Sequence, residues 1–297
     1  MNQYEHDASQ NPDDTLNIKI ADYIKTMPSL PVTVTKVIEI CDNPRTSPAD
    51  LNHVISLDPV LVGRVLKLIN SAYYGLSRPA ASLVRAIIML GINTVKNLAL
   101  STAVLRAFPV KGTGPGLNLE GFWRHSLCTA VTAKLLAKKR GIDNKQLEGY
   151  FTAGLLHDIG KIPLNAVLGR EYRLATEAAE QAQISFYHEE DRRFALNHNA
   201  VGGTIVDAWR LEGAVADVIR CHHTWQDYEG PHKDVLYTTV LANRFAVSTG
   251  IGFAGDRYPD ITVSPIWEAL GLNQNIVEEF KPLVNQEIDR ASIFLKL

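Results

Sequence analysis

Helix starts and stops succeed one another along this chain with hardly a gap, and that punctuation leaves little room for strands. Ser47-Pro48-Ala49-Asp50 is a complete start: a capping hydroxyl, a proline at the first helical position and an acid at the third. Asp58-Pro59 repeats the device and opens a helix over Val60 to Asn70. Upstream, Leu16, Ile20, Ile24 and Met27 keep helical spacing until Pro28, which drives the residue before it out of helical geometry. Val34, Val37, Ile38 and Cys41 mark a second helix. Ser82 caps Leu83 to Leu90, Gly91 stops it, and Asn93 or Thr94 restarts a helix toward Phe108. Asn118 caps a long helix ending at Arg140-Gly141, where Lys138, Lys139 and Arg140 suit the negative end of the dipole. Asp143 starts the next, which runs into Leu155-Leu156-His157-Asp158. Further helices are expected over Ala200 to Trp209, Ala214 to His222, Asp234 to Ser248 and Asn275 to Leu297. Alternating apolar patterns are scarce, so the expected class is all-α.

The 297 residues suffice for one large core or two moderate ones. Met1 to Asp14 reads as an unstructured tail, and 15–110 as a first helical subdomain. Val110 to Leu117, with three glycines and a proline, is the linker to a second subdomain over 118–250. A loop and a helix over 251–297 close the chain; that helix is expected either to pack on the core or to mediate a homodimer. A charged, alanine-rich segment from Gly169 to Asn197 lies within the second subdomain.

A formal charge of −2 with no basic run offers no sequence-independent grip on nucleic acid or anionic lipid. Cys41, Cys128 and Cys221 are few, odd in number and scattered, which suits reduced thiols. The polar N-terminus lacks a basic start and an apolar run, and no apolar stretch has spanning length. The expectation is a cytoplasmic protein with no membrane segment and no nucleic-acid partner.

Of nine histidines, His6, His53, His188 and His232 have no partner pattern. The other five do: His125, His157 with Asp158, His198, and the pair His222-His223. Imidazole and carboxylate are the usual ligands of zinc, iron, manganese or nickel, and a helical bundle gathers them from several helices. Adjacent residues on a regular helix splay by about 100°, so His157 and Asp158 need a loosened turn, which Gly160, Lys161 and Pro163 supply as a helix-stop pattern. The same splay argues that His222 and His223 do not both point inward. Lys161 reads as a helix-terminal lysine in solvent, with a second role at a phosphate. Tyr73, Tyr74 and Trp123 read as core and interface aromatics, and Cys221 as a small buried hydrophobe.

Ala153-Gly-Leu-Leu-His157-Asp158-Ile-Gly-Lys161 resembles the core motif of the HD superfamily of metal-dependent phosphohydrolases. Trp123-Arg-His125-Ser126 is similar to its first metal histidine; Asn197-His198-Asn-Ala-Val-Gly202 and Val218-Ile-Arg-Cys-His222-His223 are similar to its third and fourth elements. In the N-terminal half Leu30-Pro31, Ile55-Ser-Leu-Asp58-Pro59, Asn70-Ser71-Ala-Tyr-Tyr-Gly75, Ala86-Ile-Ile-Met-Leu-Gly91 and Asn97-Leu-Ala-Leu-Ser101 resemble an HDOD domain. The resemblance spans roughly Ala21 to Val247 and implies a multi-helix HD-like bundle behind an N-terminal helical subdomain. It implies His125, His157, Asp158, His198, His222 and His223 as metal ligands. Where metal-binding relatives carry an aspartate on the last helix, this chain has Asn243, a candidate weak metal ligand or partner of one, which offers a carbonyl oxygen but no charge. Trp225-Gln-Asp-Tyr-Glu-Gly230-Pro231 stands in place of the Gly-Tyr-Pro motif of the HD-GYP relatives, against cyclic-dinucleotide hydrolysis.

The resemblance implies first a bacterial signal-transduction module that acts through a signalling protein partner or a small phosphorylated ligand. The alternative is a phosphohydrolase in which two divalent metals bridged by Asp158 activate water and clamp a phosphate, with Lys161 beside them. A second alternative is a di-iron metal or redox sensor.

Overall fold

The computed structural model describes residues 12–108, 116–259 and 263–296. Among them there is no strand, and sixteen α-helices follow one another. The first six are α1 (Pro12–Thr26), α2 (Val32–Cys41), α3 (Pro48–Ser56), α4 (Pro59–Ile69), α5 (Leu83–Leu90) and α6 (Ile92–Ala107). The capping residues do what their chemistry predicts. Ser47 Oγ accepts from the Asp50 amide at 3.2 Å while Asp50 Oδ2 accepts from the Ser47 amide at 2.9 Å, and Asp58 Oδ1 accepts from the Leu61 amide at 3.0 Å. The tail boundary shifts: Pro12 to Asp14 already belong to α1, and 1–11 lie outside the described residues.

Asn118 caps α7 (Leu119–Lys139), which pairs with α8 (Leu147–Leu156). Asp143 does not start α8; its Oδ1 accepts the Lys145 amide at 2.8 Å in a turn, and the helix begins four residues later. After α8 come α9 (Lys161–Leu168), α10 (Arg170–Ala182), α11 (Phe186–Phe194), α12 (His198–Trp209) and α13 (Ala214–Cys221). The charged segment is thus two helices, α10 and α11, joined through the left-handed Gln183. α14 (Lys233–Thr249), α15 (Ser264–Ala269) and α16 (Ile276–Ala291) complete the series. The linker expected over 110–117 lies outside the described residues except for Gly116 and Leu117; the Leu117 amide donates to Asn165 Oδ1 at 2.5 Å.

Two helices are buried on nearly every side and organise the rest. α6 sits between α2, α4 and α5 on one side and α8 on the other, so Leu98 through Leu105 are all buried. α7 lies between α8, α14 and α16, and buries Phe122, Trp123 and the run His125 to Ala133. The α6–α8 contact joins the two halves, with Ser101 Oγ and Thr152 Oγ1 hydrogen-bonded at 3.1 Å inside it. α1 also reaches across to α9 and α12. The C-terminal helix packs on α7 through Phe280, Val284 and Ile288, and Lys139 reaches Glu279 at 2.8 Å. No single helix among the described residues is long and apolar enough to cross a membrane.

Candidate functional site

The ends of α8, α12 and α13, with the flanks of α7 and α14, converge on one carboxylate. α8 stops at Leu156, and the turn from His157 to Gly160 frees two adjacent side chains to face the same point. Gly160 is not needed there for an unusual backbone angle; its φ is −63°. It is needed for space, because a Cβ would overlap the His198 carbonyl oxygen on α12. The turn therefore presses directly onto the helix that delivers the third histidine.

Asp158 is wholly buried at the centre. Its Oδ1 faces His198 Nε2 at 3.3 Å and His222 Nε2 at 3.4 Å. Its Oδ2 faces His157 Nε2 at 3.3 Å and His125 Nε2 at 3.8 Å. The other ring nitrogens are tied down. His157 Nδ1 donates to the Gly154 carbonyl at 2.8 Å and His222 Nδ1 to the Val218 carbonyl at 3.0 Å. Those bonds place the lone pairs on Nε2, aimed at Asp158, as the second partner of a metal-ligating histidine does. His198 Nδ1 lies 2.5 Å from Glu190 Oε2. His198 and His222 meet Nε2 to Nε2 at 3.2 Å, so a cation between them and Asp158 Oδ1 would relieve facing lone pairs.

Burial pushes His125 down to about 3, against the pull of Asp158, and it also lowers His198 and His222. Burial on its own would raise the Asp158 carboxyl, but His157 and Lys161 outweigh it and hold it well below the usual range. Neutral imidazoles around an ionised carboxylate are the protonation states that metal binding requires. His125 Nε2, His157 Nε2, Asp158 Oδ1 and Asn243 Oδ1 are also left without a hydrogen-bond partner, a costly condition for buried polar atoms. The donor set fits a divalent cation. Two groupings keep their ligand atoms within 4.8 Å: Asp158, His198, His222 and His223, and separately His125, His157 and Asp158.

Three sequence expectations change. Lys161 is not in solvent: it is buried, with Nζ 2.7 Å from Asp158 Oδ2, because α9 begins where a stop was expected. His222 and His223 do both approach the centre, because α13 ends at Cys221 and the pair lies beyond regular helix. His223 is half-buried and its ring stacks on Tyr187 at 4.5 Å. Cys221 is half-buried and outside both groupings. Asn243, on α14, adjoins His125 and acts on its pKa, yet its Oδ1 closes no hydrogen bond. Among the histidines without a pattern, His53 and His188 are exposed, His232 pairs with Asp217 at 2.7 Å, and His6 lies outside the described residues.

Glu190 is the residue that the sequence hides. It is fully buried, accepts from the His198 amide at 3.1 Å and from the Tyr172 hydroxyl, and burial raises its carboxyl to about 8. Its only signal is a place eight residues before His198 in a charged helix, where solvated acids are the rule. A cavity of about 230 Å³ opens beside His125 under residues 250–258. Gly252 allows that segment to lie on α7, since a Cβ would strike the His125 amide, and the Phe253 amide donates to the Gly121 carbonyl at 2.9 Å.

The HDOD domain family profile matches residues 27–225. The chain belongs to the HDOD domain family. A curated relative from Treponema pallidum (strain Nichols), an uncharacterized protein, is 26% identical over 228 residues, covering 77% of this chain and 44% of the relative. This HDOD chain therefore spans less than half the length of that relative. An HDOD domain protein of unknown function from Geobacter sulfurreducens superposes with a TM-score of 0.74 at 24% identity, covering 96% of this chain and 99% of its own. A Marinobacter aquaeolei VT8 protein, provisionally named a signal transduction protein, superposes with a TM-score of 0.72 at 21% identity, covering 97% of this chain and 67% of its own. At these identities the likeness to the solved structures is one of fold.

Proposed function

We propose that this HDOD protein is a signal-transduction module that holds one divalent cation and transmits its state to a signalling partner or a small phosphorylated ligand. The observation that carries this is the division of labour on Asp158. Its Oδ2 already serves a cation, the Lys161 ammonium at 2.7 Å, while its Oδ1 faces two imidazole nitrogens and has no hydrogen bond. The Oδ1 side, with His198, His222 and His223, is built for a metal such as iron, zinc, manganese or nickel. On the Oδ2 side, His125 and His157 face a carboxylate oxygen in use by Lys161, and the neighbouring α14 position offers the neutral Asn243. A bound divalent cation would supply a Lewis acid there. Asp158 and the three Oδ1-side histidines would orient it, Glu190 would fix the His198 ring, and Lys161 would balance the charge of Asp158.

A phosphohydrolase with two bridged metals is the second reading, favoured by the membership of Asp158 in both groupings. It and a di-iron redox sensor both need a second cation where Lys161 now stands. Elemental mass spectrometry of the purified protein tests the choice. About one equivalent, lost in Asp158→Ala and in His198→Ala, supports the single-cation module. Two equivalents with turnover of phosphate esters supports the hydrolase, and a value near zero that does not respond to added metal removes all three. Asn243→Asp is expected to increase uptake of a second cation.

A further inference from the structure

We infer that a second ligand site lies at the joint between the N-terminal subdomain, α7 and α16, and that it takes a small phosphorylated molecule the size of a mononucleotide. A cavity of about 300 Å³ opens there, at the small end of the range for ligand pockets. Tyr73 and Tyr74 come from the turn after α4, Lys134 and Lys138 from one face of α7, and Glu287 and Arg290 from α16. None of these residues belongs to the Asp158 cluster, so the inference does not depend on a metal.

The charges decide the class of ligand. Lys134 is committed: its Nζ lies 2.7 Å from the buried Glu148 and sits over the rings of Tyr73 and Tyr74 at 4.5 and 5.0 Å. The Tyr74 hydroxyl donates to the same Glu148 at 2.5 Å. Arg290 is half committed, with Nη1 on Glu287 at 2.7 Å and the side chain 45% exposed. Lys138 is exposed and forms no ion pair among the described residues. Three cations therefore face two acids, and the surplus charge stands at the rim. The Tyr73 hydroxyl adds a donor that closes no hydrogen bond within the described residues, and burial with the nearby Glu148 and Glu287 keeps it protonated. Val131, Leu135 and Ala72 supply apolar wall that suits the body of the ligand, beside the charged groups that suit its phosphate.

The position also gives such a ligand leverage. α7 carries Lys134 nine residues after His125, and α8 carries Glu148 nine residues before His157. The Lys134–Glu148 pair thus joins the two helices that reach the Asp158 centre from this end. A ligand that draws Lys134 or Arg290 toward its phosphate favours one arrangement of the joint over another, which is all that a population shift needs.

Calorimetric titration of the whole chain with adenosine monophosphate tests the site. Saturable binding is expected, weakened at least about tenfold in Lys138→Glu and in Arg290→Glu, weakened in Tyr73→Phe, and retained in Asp158→Asn. Inorganic phosphate is expected to bind more weakly than the nucleotide. Absence of saturable binding overturns the proposal, and so does equal binding by phosphate alone, which would leave the apolar wall unused. Loss in Asp158→Asn with retention in Lys138→Glu overturns it as well, by placing the ligand at the Asp158 centre. Lys138 is exposed, so its variant is expected to fold.

Discussion

At the scale of the residue, Lys161 decides how the centre behaves. Its ammonium is buried against Asp158, and breaking a buried pair leaves an unbalanced charge. Lys161→Met should therefore destabilise the metal-free protein by about 3–5 kcal/mol, read as a lower urea midpoint. Added divalent cation should restore more stability to the variant than to the parent, because Asp158 then has both oxygens to offer. Weaker cation stabilisation in the variant would contradict this. Glu190→Gln keeps the shape but replaces the carboxyl that holds His198 Nδ1. It should lower cation affinity about 10–100-fold, measured by competition with a chelating dye. The five patterned histidines and Asp158 were legible in the sequence because spacing and residue type carry the chemistry of a ligand. Glu190 and the burial of Lys161 were not, because a charged side chain looks the same in sequence whether it faces water or, as here, a histidine and a buried aspartate.

Among the elements, the network at Asp234 ties four helices. Arg140, at the end of α7, donates bidentately to Asp234 on α14 and through Nε to the Leu270 carbonyl after α15 at 3.1 Å, while the Tyr150 hydroxyl on α8 donates to the same carboxylate. Burial on its own would raise the Asp234 carboxyl, but the Arg140 and Tyr150 hydrogen bonds outweigh it and hold it below the usual carboxylate range. With a lowered folded pKa, the stabilisation is fully present above the unfolded pKa and is lost as pH falls through the folded one. Asp234→Asn should cost about 1 kcal/mol at neutral pH, discounted for partial exposure, and thermal melts of parent and variant should begin to converge only as pH falls below about 4. A gap that widens on acidification would count against the network. Element starts were legible where a side chain caps the helix, as at Ser47, Asp58, Ser82 and Asn118. The start of α8 was not, because Asp143 spends its carboxylate on a turn that only the packing of α7 on α8 selects.

For the molecule as a whole, the stretches expected from the sequence as two subdomains share a core. α6 is buried against α8, α1 reaches α9 and α12, and Phe108 meets Trp209 with ring centroids 5.7 Å apart. These are contacts between residues far apart in sequence, for which local periodicity carries no signal. The expectation is a single cooperative transition in calorimetry; two resolved transitions would show that the halves fold independently. In the proposed function, the number of cations held at the Asp158 centre separates the single-cation module from the two-metal readings. Elemental mass spectrometry of the purified protein, with Asp158→Ala as control, measures it. About one equivalent of a divalent metal, absent in the variant, is the predicted result; two equivalents, or less than about a tenth of one that does not rise on adding metal, would contradict it.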